Sequence, residues 1–363
     1  MKQKRELKSV LQGRIDAAIK RNDSSNHKTI NRIAKDASVL TDMIVPMSQK
    51  TVTFQGNGSL LMALKGQGKF GIHENAIRQL GAKFGVPTAY LNDLSKSGEW
   101  QRALAAQILN EHTGHSSGYR SLIRTVGMEV RGVLSDSYKR LNGMELMGGF
   151  VSRAAKEGAV VYDSHYTDTR MYVEVIVPKL IDIDTEANGR ISVAFGARYQ
   201  NSDFGDGAME VRTFFLNAVC LNGMVRENII RKVHLGSRIP DGFAASDATF
   251  RKDTAAMASL IQDVIAISLG KEAVSQQVAV IERAATKEVN VDQEIRVLPK
   301  LGLSKSEVEQ THGLLLQGRP EDGLQGGATL WKFAQAVTAV GRNIGGDRSR
   351  DLAEVGGTIL NRN

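Results

Sequence analysis

The chain has 363 residues and a formal net charge of +8, with 42% hydrophobic and 24% charged residues. Its single cysteine excludes an internal disulfide, and no apolar run approaches the roughly 20 residues needed to cross a bilayer. We therefore expect a soluble cytoplasmic protein without membrane contact, built as two or three domains or as one elaborated domain. The positive charge favours a polyanionic partner, most often nucleic acid, and a merely solubilising role is the plain alternative.

Residues 1–50 predict a basic helical arm. Apolar residues recur there at helical spacing among lysines and arginines. The polar stretch 23–26 predicts a break, after which a second short helix is expected over about 29–41. An arm on DNA and a solvated helical face both fit this charge pattern.

Residues 51–115 predict a mainly helical region that opens with a glycine-rich loop. The string GQGKFG at 66–71 fits the G-x-G-x-x-G pattern of dinucleotide-binding loops. That fingerprint requires a buried parallel strand before it and a βαβ unit after it, whereas here SLLMALK precedes it and helical spacing follows. A flexible loop is therefore the favoured interpretation. Three helices are expected, over 73–85, after Pro87 and over 100–110.

Residues 116–240 predict a central β-rich block. The segments LIRTV and MEVRGVLS predict a hairpin around Gly127, and Asn142 is expected to cap the helix inside the block. Further strands are expected near 159–162, 170–177, 190–199 and 209–220. Residues 241–363 predict helices, one of them started by a capping box from Ser304 to Glu307. The pattern predicts an α+β fold with an antiparallel or mixed central sheet flanked by helices, and with helical N-terminal and C-terminal regions.

The stretch 209–239 joins a strand-like segment to a strongly basic one. Its first part alternates like a buried strand, with Phe214 and Phe215 expected in the core. If the sheet gathers the cations of this block, they would line a groove that follows phosphates, and tyrosines would offer stacking platforms for bases. The predicted nucleic-acid-binding residues are Arg124, Arg131, Lys139, Arg140, Arg198, Tyr199, Arg212, Arg226, Arg231, Lys232, His234 and Arg238.

Four separated segments of the sequence carry a resemblance to a known family. They are HENAIRQLGAKFGVPTAYL, VRGVLSDSYKRLNGMELM, VCLNGMVRENIIRKVHLGSRI and TLWKFAQAVTAVGR. They resemble the phage- and plasmid-borne family called domain of unknown function 932, and the likeness covers residues 70–345. The resemblance implies a phage or other mobile-element setting in the host cytoplasm, with DNA metabolism or host conflict as context. It implies no established reaction, so no catalytic residue is carried over.

The leading hypothesis is a sequence-tolerant protein that binds single-stranded nucleic acid, DNA being favoured, and that serves annealing or recombination. Annealing proteins commonly assemble into rings or filaments, so a homo-oligomer is an open possibility. A non-enzymatic role is favoured, and no cofactor, metal or catalytic residue is assigned. Two alternatives stay open: a metal-dependent nuclease that uses Asp182, Asp184 and Glu186, and a host-interaction protein whose basic face meets an acidic protein.

Overall fold

The computed structural model describes residues 2–116, 118–232 and 245–362, and it confirms the α+β class with helical regions at both ends. The helices are α1 (Lys2–Ser38), α2 (Glu74–Phe84), α3 (Thr88–Lys96), α4 (Glu99–Gly114), α5 (Gly143–Lys156), α6 (Asp247–Ser268), α7 (Lys271–Thr286), α8 (Val291–Ile295), α9 (Lys305–Gln317), α10 (Leu330–Ile344) and α11 (Gly346–Leu360). The strands are β1 (Leu40–Pro46), β2 (Val52–Gln55), β3 (Leu61–Leu64), β4 (Gly68–Ile72), β5 (Arg120–Val126), β6 (Glu129–Ser135), β7 (Val160–Tyr166), β8 (Met171–Ile176), β9 (Ile181–Thr185), β10 (Gly189–Asn201), β11 (Met209–Asn217) and β12 (Gly223–Lys232).

Sheet 1 has the strand order β1-β5-β6-β4-β3-β2 and is antiparallel except for the parallel pair β4–β6. It combines strands from three of the predicted regions, 1–50, 51–115 and 116–240. Helices α2, α3 and α4 pack on it, and Met62, Leu80 and Leu109 are fully buried between them. The predicted β5–β6 hairpin is confirmed. The predicted helix that ends at Gly85 is confirmed as well.

Sheet 2 has the order β12-β11-β10-β8-β7, with β9 paired to β10, and its pairs are antiparallel. Its face A is apolar: Phe195 and Phe215 pack against α7 and α10, and Tyr199 packs against α5 and α6. On its face B, Phe214 packs with side chains of α1 and α11, and charged side chains occupy much of the remainder. Both phenylalanines are in the core, as the alternation predicts.

Helix α1 is continuous, so the predicted break at 23–26 is wrong. Asn26 of this stretch and the preceding Asn22 contact strand β7, while Asp23, Ser24 and Ser25 are exposed. Asn22 Nδ2 donates to the Tyr162 carbonyl at 3.0 Å, and Asn26 Oδ1 accepts from Ser164 Oγ at 2.8 Å. Hydrogen bonds from the two asparagines to a neighbouring strand thus stabilise the helix through a stretch of low helix propensity.

The glycine-rich region 51–71 is a three-stranded antiparallel meander, so the predicted flexible loop is wrong. The string GQGKFG forms the turn and second strand of the β3–β4 hairpin. It is therefore not the strand-to-helix turn of a dinucleotide-binding fold. Gly56 allows close packing here, because a Cβ atom on it would lie 2.4 Å from the Arg102 carbonyl oxygen of α4.

The C-terminal region is helical as predicted, and Ser304 and Glu307 form the expected capping box of α9. Sequence spacing missed α11, which begins at Gly346 directly after Gly345 and packs against both α10 and β12. Glycines permit this approach: a Cβ on Gly357 would lie 1.9 Å from the Val225 carbonyl oxygen of β12. Helix α11 is thereby held across one end of face B.

In the described parts of the chain, no single helix has the length and apolar composition to cross a bilayer. Helices α6 and α7, which meet at an angle of 59°, meet that criterion together by length and composition alone.

Candidate functional site

Three predicted cations, Arg198, Arg212 and Arg231, lie together on face B of sheet 2. Arg198 and Arg212 are directly opposite each other on β10 and β11. They alternate with carboxylates in one continuous ion-pair network, whose order is Glu174, Arg198, Glu354, Arg212, Glu210 and Arg231. The expected run of unpaired cations is therefore not formed at this point. Burial explains the pairing, because an isolated charge with 2% of its side chain exposed, like Arg198, would cost far too much free energy.

Four more predicted cations lie away from face B and also contact carboxylates. Arg124 is buried, with Nε 2.8 Å from Asp42 Oδ1. Arg140 shares that carboxylate at 3.7 Å and lies over the ring of Phe250. The remaining two contacts are Lys139 with Asp253 at 2.9 Å, and Arg131 with Asp36 at 2.6 Å. These ion pairs connect sheet 1 to the elements that pack beside it.

The remaining predicted residues are dispersed. Tyr199 is fully buried beside Phe150, which removes its ring as a platform for nucleic-acid bases. Arg226 Nε donates to Asn361 Oδ1 at 2.7 Å, and Lys232 is exposed at the end of edge strand β12. His234 and Arg238 lie outside the described residues.

Two of the three carboxylates considered for a nuclease site, Asp182 and Asp184, contact cations, and Asp182 also accepts from a hydroxyl. Asp182 lies 3.2 Å from Lys8 Nζ and accepts from Ser192 Oγ at 2.7 Å, and Asp184 accepts from Arg190 Nε at 3.0 Å. Over residues 2–116, 118–232 and 245–362, no group of three or more His, Cys, Asp or Glu side chains is arranged to hold a metal ion. The nuclease alternative gains no support from this arrangement.

Two recesses open on face B, and the larger has a volume of about 260 Å³. We call it the α11 cavity, because it lies beside the first turns of α11, between face B, α1 and the α10–α11 turn. Of its polar and charged lining side chains, six carry the argument below: Asp163, Glu174, Arg198, Asn222, Arg342 and Arg350. Three guanidinium groups against two carboxylates make this set net positive by one charge.

Asn222 is the least expected member of the α11 cavity. It is 2% exposed, and within the described chain neither its Nδ2 nor its Oδ1 atom has a hydrogen-bond partner. The preceding Leu221 has a left-handed backbone, with φ of 57°, which is uncommon for a residue other than glycine. Buried amides are normally paired, so this one marks a candidate functional position.

The carboxyl of Asp163 is strongly perturbed. Burial, together with the neighbouring Glu174, raises its pKa to about 6, although Arg350 and Arg198 act in the opposite direction. Arg350 Nη2 donates to Asp163 Oδ2 at 3.3 Å. Perturbed carboxyls in recesses are frequent at functional sites. The thiol of Cys220 is not a candidate nucleophile, since burial raises its pKa to about 12.

We expect Asp163→Asn to raise the melting temperature at pH 7.5 relative to the natural chain. The native carboxyl has a pKa of about 6 against a reference value of 3.8, so the folded state holds its proton more tightly than the unfolded state. The natural chain therefore loses stability as the pH rises from about 4 to 6, and Asn removes this loss. Thermal melts between pH 4 and 8 should show a gap that closes toward pH 4. An equal or lower melting temperature at pH 7.5 would contradict the assignment.

The second recess has a volume of about 190 Å³ and lies further along face B, where β8 and β11 begin. We call it the Arg170–Arg231 groove after its two cations. The side chains of Arg170 and Arg231 are 43% and 59% exposed, and among the described residues they contact the carboxylates of Asp206 and of the buried Glu210 respectively. Tyr172 also lines the groove.

Comparisons with protein-family models, with curated proteins and with solved structures give no match. The resemblance to the domain of unknown function 932 family stays a prediction.

Sequence reasoning missed most residues of the α11 cavity. Asn222 lies in the connection between β11 and β12, directly before β12 begins at Gly223, and the local sequence gives no signal for a buried amide there. Arg350 lies on the helix that the spacing did not predict. One signal was present: two of the strings that carry the resemblance, 219–239 and 329–342, supply Asn222 and Arg342 to the same cavity.

Proposed function

We propose that the protein binds single-stranded nucleic acid without sequence readout, single-stranded DNA being favoured, through the Arg170–Arg231 groove. The observation that carries the proposal is the position of two half-exposed guanidinium groups across one narrow recess, beside the exposed Lys232 at the edge of sheet 2. Cations at this position can reach the backbone phosphates of a nucleic-acid strand, whereas Arg198 is buried and Arg212 is half-buried beneath Glu354.

The contacts available in the groove favour electrostatic binding. A guanidinium group has five N–H donors, so a single carboxylate contact leaves donors for phosphate oxygens. Glu210 is the carboxylate among the lining residues, and Arg170 shares Asp206, which does not line the groove, with Arg78. Tyr172 is 8% exposed and lies under the guanidinium of Arg350, with 5.3 Å between the arginine Cζ and the ring centroid. Base stacking there is therefore limited, and binding would depend on phosphate contacts, which carry no sequence information.

Charge removal in the groove is the direct test. We expect Arg170→Gln and Arg231→Gln each to weaken binding of a labelled oligothymidylate in fluorescence anisotropy. Each should also lower the slope of log K against log salt by about 0.7, the value for one phosphate contact on a single strand. Arg153→Gln is the matched control, because Arg153 pairs with Glu157 on α5, which packs on face A. Salt-independent binding, or equal loss in the control, would contradict the proposal.

The proposal extends to strand annealing in a phage or other mobile element, with a homo-oligomer as the assembled form. Mixing complementary labelled strands with the protein measures annealing directly, and light scattering measures the assembly. Incubating the same strands with Mg²⁺ or Mn²⁺ separates annealing from nuclease activity. Shortened product would favour the metal-dependent enzyme.

A further inference from the structure

We propose that the α11 cavity binds a phosphomonoester, the monophosphate ester of a hydroxyl-bearing group such as a sugar or a nucleoside. The site is distinct from the Arg170–Arg231 groove, and the inference does not depend on single-strand binding. The proposal starts from Asn222, which lines the cavity and whose buried amide has an unpaired donor and an unpaired acceptor among the described residues. A ligand that accepts from Nδ2 and donates to Oδ1 would satisfy both.

The cations of the cavity suit a phosphate group. Arg342 is held in place by donating from Nη1 to the Cys220 carbonyl at 2.7 Å and by a contact with Asp322. Arg350 is held by Asp163 and, at 3.1 Å, by the Gly346 carbonyl. Preorganised guanidinium forks match phosphate oxygens, and their side-chain entropy is already lost before binding. Arg198 adds an Nη1 atom without a hydrogen-bond partner in the described parts, 3.7 Å from Glu354 Oε1.

The N-terminus of α11 adds a further positive element. This helix has 15 residues and starts at Gly346, after the left-handed Gly345 and beside the cavity. The first intrahelical amide bond is made by Ser349, whose N–H donates to the Gly345 carbonyl at 3.2 Å. Amides ahead of that bond are the usual anion contacts of a helix start.

The carboxylates and aromatic rings decide which class of phosphate fits. Asp163 and Glu174 would accept hydroxyl groups of the esterified part, and they would repel the added charge of a di- or triphosphate. Tyr162 and Phe214 provide an apolar wall. The volume of about 260 Å³ leaves room beyond a bare phosphate for a sugar-sized group. A monophosphate with hydroxyl groups therefore satisfies more of the cavity than inorganic phosphate does.

Thermal shift and titration calorimetry on the full chain test the proposal, with inorganic phosphate, ribose 5-phosphate, AMP and ATP as probes. We expect ribose 5-phosphate or AMP to raise the melting temperature more than phosphate does, and ATP to raise it least. The two esters distinguish a sugar phosphate from a nucleotide as the natural ligand. An unchanged melting temperature with every probe would overturn the proposal.

Asn222→Leu is the decisive variant. Leucine has a similar shape and no polar atoms, so it removes both unpaired groups. We expect a melting temperature equal to or above that of the natural chain without ligand, and loss of the ester-dependent shift. Asn188→Leu is the contrasting control, because the Asn188 amide donates at 2.7 Å to the Ala285 carbonyl and at 2.9 Å to Thr329. It should lower the melting temperature and keep the ester response.

Arg350→Gln gives a second test if either asparagine variant fails to fold. We expect AMP or ribose 5-phosphate to bind at least tenfold more weakly, with Arg153→Gln unchanged. Ester binding that is equal in Arg350→Gln and the natural chain would overturn the proposal, as would a lower melting temperature of Asn222→Leu with an intact ester response.

Discussion

Replacement of Arg124 by methionine is expected to lower the free energy of unfolding by about 3–5 kcal/mol. The Arg124 side chain is 5% exposed and contacts the Asp42 carboxylate and the Asp203 carbonyl. Asp203 is itself buried, and burial raises the pKa of its carboxyl. Without Arg124 the carboxyl groups of Asp42 and Asp203 would remain buried with less positive charge beside them. Removing one partner of a buried ion pair is strongly destabilising for this reason. Urea denaturation measures the difference.

Lys232→Met is the control for Arg124→Met. It removes one positive charge from an exposed position, where substitutions usually change stability by no more than about 0.5 kcal/mol. If both variants lost the same small amount of unfolding free energy, the contacts of Arg124 would not stabilise the packing of β5 on its neighbours. If Arg124→Met were stable and bound oligonucleotide more weakly, the original assignment of Arg124 to a nucleic-acid contact would be supported.

Two glycine-to-alanine substitutions in helices are expected to change stability in opposite directions. Gly357→Ala on α11 should cost about 1–3 kcal/mol, because the new Cβ would lie 1.9 Å from a backbone oxygen of β12, and backbone cannot rotate away. Gly313→Ala on α9 should stabilise by about 0.5–1 kcal/mol, because no described atom lies within 4 Å of its new Cβ and alanine favours helix. Urea denaturation of both variants gives the comparison.

The Gly357 variant also bears on the α11 cavity. Helix α11 carries Arg350 and Ser349 into that cavity, and Gly357 fixes the distance of the same helix from β12. A displaced α11 should reduce the rise in melting temperature that AMP causes, in addition to lowering the stability of the protein. Equal stability of Gly357→Ala and Gly313→Ala would show that α11 is not closely packed on β12.

The ion-pair network of face B explains why a net charge of +8 does not by itself create a binding channel. Glu354 of α11 lies 2.7 Å from Arg212 Nη1 and 3.7 Å from Arg198 Nη1, and it closes the network from above the sheet. A helix that covers charged strands must supply opposite charges, because water no longer solvates them. Exposed cations are therefore found on the part of sheet 2 that α11 does not cover, at Arg170, Arg231 and Lys232.

Local signals predicted much of the architecture. Asn142 caps α5 by accepting from Met144 N, the Ser304–Glu307 capping box starts α9, and Gly127 turns the β5–β6 hairpin. Each of these features depends on residues within a few positions of one another, so spacing alone reveals them. The continuous helix α1 was predicted wrongly because the residues that stabilise its polar middle lie on β7, more than 130 positions away.

The sequence by itself determined the α+β class, most helix starts, the hydrophobic alternation of β11 and the abundance of cations. It did not determine which cations face water, because that depends on partners brought in by folding. Arg124 meets Asp42 across 82 positions, and Arg350 meets Asp163 across 187. Charge and amide groups removed from water must find such partners or remain unpaired, like the Asn222 side chain, and only the tertiary structure decides which outcome applies.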